Sequence, residues 1–387
     1  MASTDTDIGH LRQALADAFE ANFRERGEIG ASVSVFIEGE EVVHLSEGYT
    51  TRERIEPWTG DTMVPVWSAT KGAAAVTCLV ALEEAGMALE AKVKDIWPEF
   101  AGGGKQEVTL RQLLSHTAGL SVLDEVVPIH DYAAVIAAIE KQPPLFPPGT
   151  QQGYHARTFG FLLDELVRRL TGASSLGAYF HERFREPMGI DFWIGLPEEL
   201  MSRVATLYPG KLRADMGKDP FFKAFNTRGS VTARTFTSPT GLGAVQEMNR
   251  HEALAPGYAS MGGVGSARGL ASFYAMLADG GVWKGTRYVS DAVLALLETT
   301  ISQQEDAVLH APMAFAAGVM KDAVSEAGEK LRHIYGAGRR AFGHPGAGGS
   351  LAFADPERKL SFAYVMNQME LGALPGEKTL SLVAALN

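Results

Sequence analysis

The sequence predicts an α+β (α/β) fold: one antiparallel sheet built from both chain ends, flanked by helices, with a mainly helical region inserted between them. Two observations at the ends carry this. "ASVSVFIEGEEVVHLSEGYT" (31–50) holds two β-rich runs separated by Glu38-Gly39-Glu40, the pattern of an antiparallel hairpin. "MAFAAGVM" (313–320) and "SLAFADPERKLSFAYVMNQ" (350–368) give the same signal near the other end, with Asp355-Pro356 starting a turn. The third observation is the helical periodicity of nearly everything between them. Residues 1–85 with 275–387 are expected to form the sheet domain, and 86–274 the helical domain with irregular loops lining a cleft.

Taken in order, an amphipathic helix opens the chain in "MASTDTDIGHLRQALADAFEANF". The first hairpin follows. Apolar spacing at i, i+3, i+4 then marks helices in "GAAAVTCLVALEEAG", "TLRQLLSHTAGL", "YAAVIAAIEKQ", "FGFLLDELVRRLTG" and "ARGLASFYAMLADGG", several of them ending at Gly. The stretch from about 207 to 260 lacks periodicity, and long irregular segments often border a binding site. Its Phe221, Phe222, Phe225 and Phe236 suit either an acyl or alcohol pocket or a simple aromatic plug.

Composition narrows the functional classes. A chain of 387 residues that is 46% hydrophobic and 21% charged can bury a large core. The formal charge of -11, with no basic run, disfavours nucleic acid and anionic membranes as partners. The N-terminus is acidic and periodic where a secretory signal needs a basic start and an apolar stretch, and no apolar run suits a membrane span, so a cytoplasmic location is expected. The single cysteine, Cys78, excludes an internal disulfide and sits in an apolar helix, where a buried, inert thiol is the expectation. The ten histidines make no His-x-x-x-His or comparable pair, so no metal and no other cofactor are expected.

Three short stretches carry chemistry. In "VWSATKGAAA" (66–75), a helix starting at or just after Ser68 brings Lys71 back to the same face one turn later. The serine is then either a helix cap or a nucleophile whose proton is taken by a lysine of lowered pKa. In "FPPGTQQGYHARTFG", Tyr154 precedes a long helix, as packing or as a proton-relaying phenol. In "FGHPGAGGSLAFADPE", the glycines suggest a backbone that approaches something closely at a sheet edge. There the N–H of Ala347 could join that of Ser68 in an oxyanion hole, with His344 donating to a bound carbonyl or satisfying the loop.

Together, and in this order, these stretches resemble the serine β-lactamase and penicillin-binding protein superfamily, whose Ser-x-x-Lys, Tyr-x-Asn and Lys-Thr-Gly motifs line one cleft. The surroundings resemble its class C branch along nearly the whole chain, including "LRQLLSHTAGL", "PPGTQQGYHARTFGFLLDELV" and "YASMGGVGSARGLASFYAMLADGG". Two departures stand out. Ala156 occupies the place of the motif Asn, and His344-Pro345-Gly346 replaces Lys-Thr-Gly. Both remove groups that grip a carboxylated amide, while Ser68, Lys71, Tyr154 and the Gly346-Ala347 backbone remain. The pattern resembles the family VIII carboxylesterases, and no Gly-x-Ser-x-Gly elbow suggests an ordinary α/β-hydrolase.

The resemblance implies a β-lactamase-like fold and two-step acyl transfer on a small-molecule ester. Ser68 attacks, Lys71 and Tyr154 act as a coupled base, the N–H groups of Ser68 and Ala347 hold the oxyanion, and His344 and Gly346 border the substrate. Rival expectations are a β-lactamase or D-amino-acid peptidase, an acyltransferase, and a non-catalytic interaction module of the same fold.

Overall fold

The computed structural model describes residues 5–212 and 216–387. Its principal sheet has eight antiparallel strands drawn from both ends of the chain. Glu40–Gly48 lies at one edge, followed by Gly30–Ile37, Leu360–Met366, Leu351–Asp355, Phe342–Pro345, Met320–Lys321, Pro312–Phe315 and finally Ser302–Glu305. The first and last strands in sequence therefore pair with each other, second and third in the sheet, where Val33 lies opposite Tyr364 and Val35 opposite Phe362. The first hairpin turns on Glu38 and Gly39, whose φ values of 51° and 80° are the left-handed pair that a tight hairpin of this twist requires.

Helices cover the sheet as the apolar patterning demands. Ala267–Ala278, capped by Ser266, packs on the central strands, and Ser361 Oγ donates to its Ala271 carbonyl at 2.8 Å. Asp5–Glu25 packs against the outer hairpin and the C-terminal helix Glu377–Ala384. The segment that follows the first helix is tied to the C-terminal helix below the surface, where Lys378 Nζ donates to Glu28 Oε1 at 3.1 Å and Tyr364 donates to the same carboxylate. Thr70–Glu84, buried over nearly its whole length, is the hub of the helical region and packs on Thr158–Thr171.

The structure departs from the sequence expectations in specific places. "TLRQLLSHTAGL" yields only Leu110–Leu114, opened by a Thr109/Gln112 capping box and followed by His116 at φ 59° and Gly119 at φ 73°, which no continuing helix accepts. "MAFAAGVM" splits into two strands at a tight turn on Gly318, where the Ala316 N–H donates to the Val319 carbonyl at 3.0 Å. Phe342–Pro345, expected at a sheet edge, is an interior strand paired on both sides. The irregular stretch contains short helices, among them Pro220–Phe225 and Val231–Thr237, capped by Asp219 and Ser230, and His251–Leu254.

Candidate active site

Ser68 lies in a turn just ahead of the Thr70–Glu84 helix. It is not the helix cap: the capping position is Ala69, and no side chain caps this end. Trp67 holds φ at 51°, a conformation rarely adopted by so large a residue, and its carbonyl accepts from both the N–H and the hydroxyl of Thr70. This kink presents Ser68 at the start of the helix with its side chain free to face Lys71.

The lysine is the decisive group. Its side chain is fully buried, and Nζ stands 2.8 Å from the Ala156 carbonyl, 2.7 Å from the Ser260 carbonyl and 3.1 Å from Ser68 Oγ. A carbonyl can only accept, so two N–H bonds are committed to Ala156 and Ser260. As a neutral amine, Lys71 has its lone pair left for the Ser68 hydroxyl. Burial pushes its pKa well below the usual lysine value, and the Arg157 guanidinium pushes it further in the same direction. Arg157 is itself buried, its head tied to the carbonyls of Pro239, Gly241 and Leu242 at 2.7, 2.5 and 3.0 Å.

Tyr154 completes the cluster. Its ring lies 4.9 Å from Lys71 Nζ, and its phenol neighbours the Ser68 side chain. Burial raises the phenol's pKa above its ordinary value; the neighbouring Ser68 side chain opposes that rise, and the nearby Asp306 carboxylate adds to it. The loop carrying the ring is fixed by that buried carboxylate, which accepts from the N–H groups of Tyr154, Val308 and Leu309 at 3.2, 2.9 and 2.9 Å. Ser68 and Lys71 are thus brought beside Tyr154, which lies more than eighty positions away in sequence.

Gly346 closes the other side. A Cβ there would stand 2.1 Å from the Val66 carbonyl oxygen, so only glycine lets this strand end approach the segment leading to Ser68. Ala347, half-buried, follows at once. Among the described residues, neither the Ser68 nor the Ala347 N–H has a protein acceptor, which leaves both donors available to a bound oxygen.

His344 differs from its expected place at the substrate. It is fully enclosed in the Phe342–Pro345 strand, with Nδ1 2.8 Å from the Pro345 carbonyl. Burial, followed by the nearby Lys71 charge, pushes its pKa down to about 3. A neutral ring facing inward has no exposed surface with which to donate to a bound carbonyl. The four phenylalanines of the irregular stretch cluster on one another, with Phe221 ring centroids 5.4 to 5.8 Å from those of Phe222, Phe225 and Phe236. A cavity of about 780 Å³ beside Thr158–Thr171 is lined by none of Ser68, Lys71 and Tyr154; it meets their surroundings at Ser260 and at Gly241 and Leu242, which hold Arg157.

Sequence reasoning missed Arg157, Ser260 and Asp306. The first two act on Lys71 through charge and a backbone carbonyl, and Asp306 holds a loop from more than a hundred and fifty residues away. None of the three belongs to a motif. Ala156, noted for the amide it lacks, contributes its carbonyl instead.

With this geometry established, comparison with known proteins is decisive about kinship: the Beta-lactamase family model matches residues 15–386. The chain belongs to that family. This β-lactamase family member is 31% identical over 370 residues to Esterase/beta-lactamase LipL of Mycobacterium tuberculosis (strain ATCC 25618 / H37Rv), covering 91% of this chain and 80% of that protein. Among solved structures, it superposes on a family VIII carboxylesterase with a TM-score of 0.86 at 34% identity, covering 97% of this chain and 96% of the other. A penicillin-binding protein homolog from Caulobacter crescentus gives a TM-score of 0.83, also at 34% identity and the same coverage. The β-lactamase-like fold expected from the motifs is the fold of this family member.

Proposed function

We propose that this protein is a serine carboxylesterase that hydrolyses small carboxylic esters through an acyl-serine intermediate. The observation that carries the proposal is Lys71 Nζ, held by two carbonyls with Ser68 Oγ as its third neighbour at 3.1 Å. Ser68 Oγ attacks the ester carbonyl as Lys71 takes its proton. The N–H groups of Ser68 and Ala347 stabilise the oxyanion. Tyr154, whose raised pKa keeps it protonated, supplies the proton to the departing alkoxide. A water then attacks the acyl carbonyl and gives a proton to the Tyr154 phenolate; as the bond to Ser68 Oγ breaks, Lys71 returns its proton to the serine, and the acid leaves with the amine neutral and the phenol restored. Within the coupled pair, the lowered pKa of Lys71 and the raised pKa of Tyr154 favour the amine as base and the phenol as acid.

The preference for esters rests on what is missing. Ala156 offers no side-chain amide to orient a substrate amide, and His344-Pro345 offers no exposed ammonium or hydroxyl for a substrate carboxylate. An alkoxide leaves with less assistance than an amine, so such a site still suffices for esters. The name of the relative LipL joins esterase and β-lactamase, which favours weak β-lactam turnover as a second activity.

The test is p-nitrophenyl butyrate beside nitrocefin, with the wild-type protein and Ser68→Ala. The expected result is rapid ester hydrolysis, slow or no nitrocefin turnover, and loss of both in the variant. A fluorophosphonate should add its mass to Ser68. Undiminished ester hydrolysis by Ser68→Ala refutes the nucleophile, and faster nitrocefin than ester turnover refutes the substrate class.

A further inference from the structure

Among the buried polar atoms without a protein partner are His116 Nε2, His344 Nε2 and the hydroxyls of Tyr274 and Tyr335. Their residues are at most 1% exposed. Each side chain is placed against the same group of neighbours. The Tyr154 ring lies 5.1 Å from that of His116 and 6.0 Å from that of His344, centroid to centroid. Tyr274 Oη and His344 Cβ both crowd Gly72, standing 1.9 and 3.6 Å from the position its Cβ would occupy. The Tyr335 ring packs edge-on against Phe353 at 6.0 Å, and Tyr274 and Tyr154 both help to raise its pKa after burial and Asp322.

The protonation of the two imidazoles follows from their bonded nitrogens. His344 Nδ1 meets the Pro345 carbonyl at 2.8 Å and so carries the proton, leaving Nε2 as an acceptor. His116 Nδ1 accepts the His155 N–H at 3.1 Å, so in the neutral ring its proton is on Nε2, a donor. Burial depresses the pKa of both rings, and Lys71 lowers each further. One acceptor, one donor and two hydroxyls able to do either are thus left without a protein partner. Buried polar groups are nearly always satisfied, and a water with two to four such partners is the usual means.

We propose that these four groups enclose a cluster of ordered waters behind Tyr154, and that His344 Nε2 holds the Tyr154 hydroxyl in line with Ser68 through one of them. His344 is then a positioning residue and not a substrate ligand. The bridge favours the protonated phenol with its lone pairs and hydrogen correctly directed, which is the state the esterase reading requires; the kinetic part of the proposal rests on that reading, and the water cluster itself does not.

The first test is a crystal structure showing ordered solvent, with Tyr274→Phe and Tyr335→Phe measured by thermal unfolding. The expected result is water within hydrogen-bonding distance of His344 Nε2 and Tyr274 Oη, and a lower Tm for each Phe variant, because each loses a satisfied bond. A dry chamber, or variants as stable as or more stable than the wild type, overturns the proposal, since deleting an unsatisfied hydroxyl costs nothing. The second test is kinetic. His344→Leu should lower kcat about tenfold with KM within about twofold, short of the hundredfold expected when a general acid itself is lost. His344→Gln, which restores an acceptor, should regain part of it. A change in KM alone assigns His344 to the substrate and overturns the positioning role. Should the protein hydrolyse no ester, the solvent structure and the two Phe variants still decide the water cluster.

Discussion

Replacing Gly346 by alanine tests whether the site depends on the close approach of two backbone segments. The added Cβ would stand 2.1 Å from the Val66 carbonyl oxygen and 3.3 Å from Ser350 Cβ. The first contact is about 1.3 Å short of ordinary van der Waals separation, and the atom it meets is backbone, which has no rotamer to change. The segments must therefore part by about an ångström. Val66 lies two residues before Ser68, and Ala347 follows Gly346, so the parting widens the gap between the two N–H groups assigned to the oxyanion. A misplacement of about 1 Å at a reacting centre costs on the order of a hundredfold in rate. Gly346→Ala should lower kcat for p-nitrophenyl butyrate by about that factor, and overpacking should cost about 1–3 kcal/mol of stability in denaturant unfolding. The matched control is Gly9→Ala, in the first helix, where an added Cβ meets nothing within 4 Å. It should leave kcat unchanged and stabilise the protein by about 0.5–1 kcal/mol. Gly346→Ala with kcat within threefold of wild type would refute the placement of the oxyanion donors.

The remaining predictions concern buried charge. Lys71 can take the Ser68 proton only as a neutral amine, so kcat/KM should fall as pH drops through its depressed pKa and level off above it; Arg157→Gln, by removing the nearby cation, should move that acid limb to higher pH, and an unmoved limb argues against the coupling. The linked stability has the same sign: the unfolded chain binds the Lys71 proton more tightly, so its contribution to folding stability rises with pH between the depressed value and the ordinary lysine range. Lys378→Met should destabilise the protein by about 3–5 kcal/mol in chemical unfolding, because it strands the fully buried Glu28 carboxylate held by Lys378 and Tyr364; a loss under about 1 kcal/mol would show that Glu28 is neutral in the native state.

The parts of the fold visible in sequence were those governed by local periodicity. The helix at Thr158–Thr171 shows its apolar stripe and its terminal Gly172, and the first hairpin announces its turn at Gly39. Where tertiary geometry overrode local pattern, the sequence misled. Leu110–Leu114 stops early because His116 turns to φ 59°, and the ring that this turn aims inward packs between Phe159 and Phe315 at 4.6 Å from each. The Ser302–Glu305 edge strand has no apolar alternation to reveal it, since three of its four residues face solvent.

The site divides along the same physical line. Ser68 and Lys71 were legible because one helical turn fixes their relation, and Tyr154 because its motif lies in a recognisable context. What lowers the lysine's pKa, as the proposed base requires, is less visible, because it depends on three things no motif encodes: complete burial, two backbone carbonyls and a cation brought from another segment. Carbonyl oxygens are present at every residue, so no side-chain pattern could have singled out Ala156 or Ser260. The same consideration reverses the meaning of position 156. Losing the motif amide removes a substrate contact, yet the backbone there must stay where it is to hold Lys71. Alanine keeps that carbonyl in place while leaving the substrate side bare, so recognition can change at this position without disturbing the base.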